Sequence, residues 1–361
     1  MAHESAGTDT SSKQEAVVYL NGNIFTAAEN GAMATAFVVR DGKFVAVGGQ
    51  ADIQEYLDLG ARRVDLEGNF VIPGLGDDHF HGEGGGPGLD LSKVRSIPEL
   101  LDAVRSAVRV APADGMVIAN FDWHEAQLAE QRLPTAAELD TVAPHTPVIL
   151  PRGGHSLILN SAALTEFGIT TATKSPPGGV ISVDGTGRLT GEIIDAAKSL
   201  VRMPPPRPMS PDDLIRTQAA MNAFGVTAVR VPGFYTKGPI AEAYRMAREL
   251  KDAGKLTLRY TFYLPAPGFF GTPADYLTKS ALRQDEGDDW VRIGGVKLGV
   301  DGGFEGGHLS EPYAEPYGKN GTFSGIVDAP GAVQRASDAT GQGWLAGCRA
   351  RGGRCGGRSG S

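Results

Sequence analysis

The chain has 361 residues, with 34 basic and 42 acidic side chains, a formal net charge of −8 and a hydrophobic fraction of 41%. That length holds one large domain plus a small one, and the acidic balance gives nucleic acid or an anionic membrane surface no electrostatic footing. No apolar run approaches the roughly 18–20 residues of a membrane span, and two cysteines, Cys348 and Cys355, make no disulfide framework.

Residues 1–15 are rich in Ser, Thr, Ala and Glu and read as a disordered tail. They lack the charged-then-apolar order of a signal peptide, so the chain is expected in the cytoplasm. Residues 16–70 read as short strands forming a small β-domain. Within it, Phe37-Val38-Val39 and Phe44-Val45-Ala46-Val47 flank Asp41-Gly42, a hairpin signal because both central turn residues need positive φ. Residues 71–76 are nearly all apolar and predict a strand covered on both faces, as in a parallel sheet.

Ser96 to Val110 predicts a helix, with Ser96 and Glu99 fitting a capping box and Leu100, Leu101, Val104 and Val108 on one face. It opens a long insertion at about 95–210, with strand-like runs at Met116–Phe121 and Val148–Leu150. Met203 to Pro208 is a stiff, Pro-rich linker, and Ser210-Pro211-Asp212-Asp213 starts a helix running to about Phe224. Strands at Gly225–Val231, Leu256–Leu264 and Val291–Val300 then alternate with a helix at Ile240–Ala253. Such alternation argues for βαβ units and a parallel sheet. The expected fold is α/β: a partial (β/α)8 TIM-type barrel over 71–340 behind the small N-terminal β-domain. Its strands one to four lie at 71–76, 226–231, 256–264 and 292–300.

Residues 341–361 contain eight glycines and four arginines but no acidic residue, Val or Ile, a composition that builds neither strand nor buried helix. Four further βα units need on the order of 30 residues each, and 61 residues follow Val300. The expectation is a disordered Gly/Arg tail and a barrel left open after strand four, from a truncated or frame-shifted C-terminus. An Arg-Gly binding tail is the alternative.

The chemistry concentrates after the first apolar run, where Asp77-Asp78-His79-Phe80-His81 places two histidines one residue apart. On a strand, i and i+2 face the same way, so both imidazoles converge on one point, as ligands of a divalent metal do. Two loop histidines beside a glycine run are the plainer reading. Asp77 either orients a ligand imidazole from behind or caps the strand end. Lys297 and Asp301 share a face opposite Val296 and Leu298 and so point into the barrel. A buried ammonium needs compensation, from Asp301, from Asp77 or from a chemical change at the amine. Gly82 to Gly88 lacks the helix a phosphate cradle needs, and no G-x-S-x-G elbow or plausible cysteine nucleophile is present. Arg152, His155, Asp122, Trp123 and His124 lie in strand-to-loop segments that can line a pocket or serve only the loops. His308 follows a glycine-rich loop after Lys297, and His145 and His3 read as surface residues.

Val71-Ile72-Pro73-Gly74 running into His79-Phe80-His81 resembles the opening metal motif of the amidohydrolase superfamily. Val38 to Gly48, Arg132-Leu133-Pro134-Thr135, Gly154-His155-Ser156 followed by Asn160 to Leu164, and Gly295-Val296-Lys297-Leu298 before Asp301-Gly302 resemble one branch of it. That branch is the amidohydrolase 3 group, which includes N-substituted formamide deformylase-like proteins, and the likeness runs from about residue 16 to about 338. It implies a divalent metal, zinc for choice, held by His79, His81 and Lys297. Lys297 would be carboxylated to a carbamate that bridges metals, with Asp77 and Asp301 behind the ligands. His155, with Arg152 and Trp123, would contact a small-molecule substrate. Metal-activated water would attack the carbonyl of an amide or N-substituted formamide. The late histidines and the aspartate base of the superfamily have no counterpart here, so the alternative is an inactive fragment or binding module derived from such an enzyme. Homo-oligomerisation is left open.

Overall fold

The computed structural model describes residues 15–29, 31–112, 114–204, 208–236, 238–266, 275–297 and 311. The chain divides into two compact units, one up to Leu75 and one from Gly76.

The first unit holds β1 (Val17–Leu20), β2 (Asn23–Phe25), β3 (Met33–Ala34), β4 (Ala36–Arg40), β5 (Lys43–Gly48), α1 (Gln50–Asp58), β6 (Arg62–Asp65) and β7 (Phe70–Val71). One sheet runs β5-β4-β1-β6 and a second β3-β2-β7. The hairpin between β4 and β5 turns at Asp41 (φ 52°) and Gly42 (φ 71°), as its residue types require. Val18, Val38 and Ile53 are fully buried at its centre. The helix α1 departs from the all-strand expectation. It is nine residues long and buries only Ile53 and Leu57, four apart, too few apolar positions to announce a period.

The run at 71–76 also departs from expectation. Val71 pairs with Ile24 in the small sheet of the first unit, and Ile72-Pro73-Gly74 lie outside any ladder. Pro73 has no N–H to give one. Strand β8 (Leu75–Asp77) resumes after it. Ile72 and Leu75 are 50% and 48% exposed, so this is not a strand covered on both faces.

The second unit continues with α2 (Ile97–Val110), β9 (Val117–Ile118), α3 (Ala136–Asp140), β10 (Val148–Arg152), β11 (Ser156–Leu159), α4 (Ser161–Glu166), β12 (Gly179–Val183), β13 (Leu189–Asp195), α5 (Pro211–Ala223), β14 (Val226–Pro232), α6 (Ile240–Asp252), β15 (Arg259–Pro265), α7 (Tyr276–Ser280) and β16 (Val291–Lys297). On α2, Ser96 Oγ accepts the Glu99 N–H at 3.3 Å. The Glu99 carboxylate takes the Arg95 N–H at 2.7 Å rather than that of Ser96, so the reciprocal half of the box sits one residue early. On α5, the Ser210 N–H and hydroxyl both donate to Asp213 Oδ2, at 2.7 and 2.9 Å.

Two sheets organise this unit. The insertion builds a five-stranded sheet of order β12-β13-β11-β10-β9, antiparallel except for the parallel β9–β10 pair. The expected strand at 116–121 contracts to β9 plus a bridge between Leu89 and Ala119. The other sheet has order β16-β15-β14-β8, with β14, β15 and β16 parallel, as the strand–helix alternation predicts. Val229, Val231, Tyr260, Phe262, Leu264, Val291 and Ile293 pack on one face of it with Ala243, Tyr244, Ala247 and Leu250 of α6. The architecture is mixed α/β. Among the described residues, no helix is long and apolar enough to cross a membrane. The tail at 341–361, Asp301, His308 and the closure after strand four lie outside the described residues.

Candidate metal centre

His79 and His81 follow β8 directly. The strand ends at Asp77, yet the alternation of faces persists beyond it. Phe80, between the histidines, is 4% exposed and belongs to the core beneath the parallel sheet, and its N–H donates to Arg230 O of β14 at 2.9 Å. With Phe80 driven into the core on one face of the sheet by its apolar surface, the two flanking imidazoles turn together to the opposite face. Their ring centroids are 4.9 Å apart at an interplanar angle of 76°.

His81 is gripped from both sides by the segment after β14. Its Nδ1 lies 2.8 Å from Phe234 O, and Thr236 N donates to His81 O at 2.7 Å. A carbonyl only accepts, so Nδ1 carries the proton and Nε2 presents its lone pair. Metal-binding histidines are commonly oriented in this way. The next residues are tied down as well: Thr217 Oγ1 of α5 donates to Glu83 Oε2 at 2.5 Å and lies 3.3 Å from the Tyr235 hydroxyl.

Burial lowers the pKa of His79, helped by the neighbouring His81 and the Lys297 charge and opposed by Asp77. Burial also lowers His81, with Lys297 adding to the effect while the Phe234 hydrogen bond and Asp77 oppose it. Both rings are therefore held toward the neutral form, the one that donates a lone pair to a metal. Lys297, half-buried at the end of β16, is near enough for its charge to act on both rings. Asp77 accepts the His79 backbone N–H at 2.9 Å through Oδ1, which caps the strand end, and its charge acts weakly on both imidazoles. Asp78 pairs with Arg230 at 3.3 Å. Among the described residues, no cluster of three or more His, Cys, Asp or Glu side chains is placed to hold a metal. The two imidazoles, held toward the neutral form and one with its tautomer fixed, are donors of the type a divalent metal takes, while the Lys297 ammonium beside them has no lone pair to give as it stands.

The glycine run after His81 has a packing role. Gly82, Gly85 and Gly88 all have positive φ. A Cβ on Gly82 would collide with Thr236 Oγ1, one on Gly85 would lie 2.5 Å from Asp122 Cβ, and one on Gly88 would lie 2.6 Å from Ile118 O. The loop threads between the 121–125 and 234–236 segments because it has no side chains there.

The other expected contact residues fall around β10. Trp123 is 4% exposed, and its Nε1 donates to Pro151 O at 2.6 Å. Arg152 is 3% exposed. Its Nε donates to Glu125 Oε2 at 2.6 Å, its Nη2 meets Glu125 Oε1, and Nη2 lies 2.9 Å from His124 Nε2. His155 Nδ1 donates to Asp195 Oδ1 at 2.7 Å, while Asp195 N donates back to His155 O at 2.8 Å. Asp195 has φ 48° and ψ −121°, a costly conformation for a non-glycine residue. Aromatic contacts connect the histidine segment to this region, with His81 5.6 Å from Phe234 and Phe234 6.1 Å from Phe121 between ring centroids. His145 is exposed.

The sequence reading missed Phe234, Thr236, Glu125 and Asp195. Phe234 and Thr236 act through backbone groups, which carry no residue-type signal. Asp195 reaches His155 only because β13 pairs antiparallel with β11, placing Ile194 beside Ser156.

The amidohydrolase family model matches residues 62–353, more than half of the chain. The chain belongs to the amidohydrolase family. It is 31% identical over 313 residues to the protein LONG AFTER FAR-RED 3 of Arabidopsis thaliana, covering 82% of this chain and 52% of that protein. It is 31% identical over 191 residues to the N-substituted formamide deformylase of Arthrobacter pascens, covering 51% of this chain and 35% of that enzyme. An uncharacterized metal-dependent hydrolase from Pyrococcus horikoshii OT3 shares the fold, with a TM-score of 0.56 and 23% identity over 90% of this chain and 62% of that one. This amidohydrolase chain spans about half the length of the first curated relatives it matches.

Proposed function

We propose that this amidohydrolase is a divalent-metal-dependent hydrolase of carbon–nitrogen bonds other than peptide bonds, acting on small amides or N-substituted formamides. The observation that carries the reading is the hydrogen bond from His81 Nδ1 to Phe234 O, which leaves Nε2 of a neutral ring beside the His79 imidazole. His79, His81 and Lys297 would hold the metal, with Lys297 as its carbamate and Asp77 behind the histidines. Zinc is the metal assigned, since imidazole nitrogens suit it. When bound, it supplies Lewis acidity and a water acidic enough to ionise near neutral pH. The scaffold we assign is a partial (β/α)8 barrel with strands β8, β14, β15 and β16, preceded by a small N-terminal domain over 16–70. His155 orients the substrate through a ring that Asp195 holds in place.

A second reading, a module that binds metal without turnover, is favoured by one observation. The described residues gather two imidazoles and a lysine but no third His, Cys, Asp or Glu ligand. The test is release of amine and formate from an N-substituted formamide by the full chain supplied with zinc. The first reading expects zinc-dependent release that His79→Ala and His81→Ala abolish. Zinc binding without release supports the second, and neither binding nor release removes both.

A further inference from the structure

Strand β16 carries a contradiction of parity. Val291 and Ile293 are fully buried against α6 together with Tyr260, Phe262 and Leu264 of β15. In a regular strand, every second residue faces the same way, so the odd-numbered Lys297 would join Val291 and Ile293 on the helix-covered face. The register shows otherwise. Phe262 is opposite Ile293, but the next residue, Tyr263, is opposite Gly295, and Pro265 is opposite Lys297. One residue, Gly294, is inserted. Leu264 on the helix side is consequently matched with Val296, and Lys297 falls on the other face, with Thr261 and Tyr263.

We infer that the Gly294–Gly295 bulge is the positioning device that turns the Lys297 amine away from the helix-packed core and toward His79 and His81. Bulges are known to re-aim side chains beside active sites. Both glycines are required by geometry. A Cβ on Gly294 would stand 2.7 Å from Thr261 Cγ2 and 2.8 Å from Tyr263 Cζ. Gly295 has φ 144°, a backbone that L side chains rarely adopt. Arg292, on the inward face before the bulge, is opposite Thr261 and exposed. Inward residues thus change from even to odd numbering across two glycines.

The role given to Lys297 rests on the metal-centre reading, while the direction of its side chain does not, and two readouts keep these apart. The full chain is compared with Lys297→Met, Gly295→Ala, and Gly295→Ala combined with deletion of Gly294. Gly295→Ala disfavours the bulge, and a straightened strand turns Lys297 onto the core face. Deleting Gly294 as well gives a regular strand in which Ile293, Gly295→Ala, Val296 and Lys297 keep their partners on β15, so the amine faces inward again. The first readout is acylation of Lys297 followed by mass spectrometry. It should slow on the order of tenfold in Gly295→Ala, as an amine withdrawn into apolar surroundings loses reactivity, and recover in the double variant. The second is zinc affinity by chelator competition, expected to fall by roughly 10–100-fold in Gly295→Ala, to recover in the double variant and to fall in Lys297→Met. Circular dichroism checks that each variant is folded, and recovery in the double variant separates re-aiming from general damage. If Gly295→Ala labels at the parent rate, or deletion of Gly294 fails to restore labelling, the inference is overturned. If labelling follows the prediction but Lys297→Met binds zinc normally, the positioning stands and the ligand role of Lys297 falls.

Discussion

At the residue scale, the pair of Glu125 and Arg152 shows how a charged side chain in a pocket-lining sequence position can be spent on structure. Both are under 5% exposed, and the guanidinium forks onto the carboxylate with His124 beside it. Removing one partner of a buried pair strands the other charge and costs about 3–5 kcal/mol. Arg152→Met should therefore lower the unfolding free energy obtained from urea titration by that amount, and a variant as stable as the parent would refute the pairing. Legibility at this scale follows sequence distance. His79 and His81 are readable because their spacing alone fixes which way they face once Phe80 is buried. His155 and Asp195 are 40 residues apart, and Glu125 and Arg152 are 27 apart. Strand pairing and packing bring each pair together, and no local pattern encodes that.

At the element scale, short-range signals were kept and long-range ones lost. The caps at Ser96 and Ser210 and the turn at Asp41-Gly42 form where their residue types require. The helix α1 and the strands β11 to β13 carried no clear period and were missed. Thr135 illustrates a cap with a measurable consequence. Its N–H and hydroxyl donate to Glu138 Oε2 at 2.9 and 3.0 Å, and Arg132 binds the same carboxylate through two nitrogens at 2.7 and 2.9 Å. The Arg132 hydrogen bonds, followed by those of Thr135 and working against desolvation, hold the Glu138 carboxyl down to about 2, from 4.5. A depressed folded-state pKa contributes stability above the unfolded value and loses it as pH falls through the folded one. The contribution is small, because the Arg132 side chain is 51% exposed and screened. The melting temperature of the parent should fall more steeply than that of Glu138→Gln between pH 4.5 and about 2. Parallel curves would contradict the assignment.

At the scale of the whole molecule, the strand–helix alternation after residue 210 foretold a parallel sheet, and β14, β15 and β16 form one. The start of that sheet was less legible, because apolar character at 71–76 cannot distinguish a covered strand from a chain passing between units, with Pro73 interrupting the ladder. The insertion's own sheet was legible only in part, at β9 and β10, because its assembly rests on pairings between strands distant in sequence, β11 with β13 and β9 with β10, which no local pattern encodes. The central claim is that His79 and His81 together ligate a metal at the end of β8. The direct measurement is X-ray absorption at the zinc edge of the zinc-loaded full chain and of His81→Ala. The account predicts imidazole scattering with Zn–N distances of about 2.0–2.1 Å in the parent, and one imidazole fewer in the variant. Sulfur ligation at about 2.3 Å, which would implicate Cys348 and Cys355, or a spectrum unchanged by His81→Ala, would contradict it.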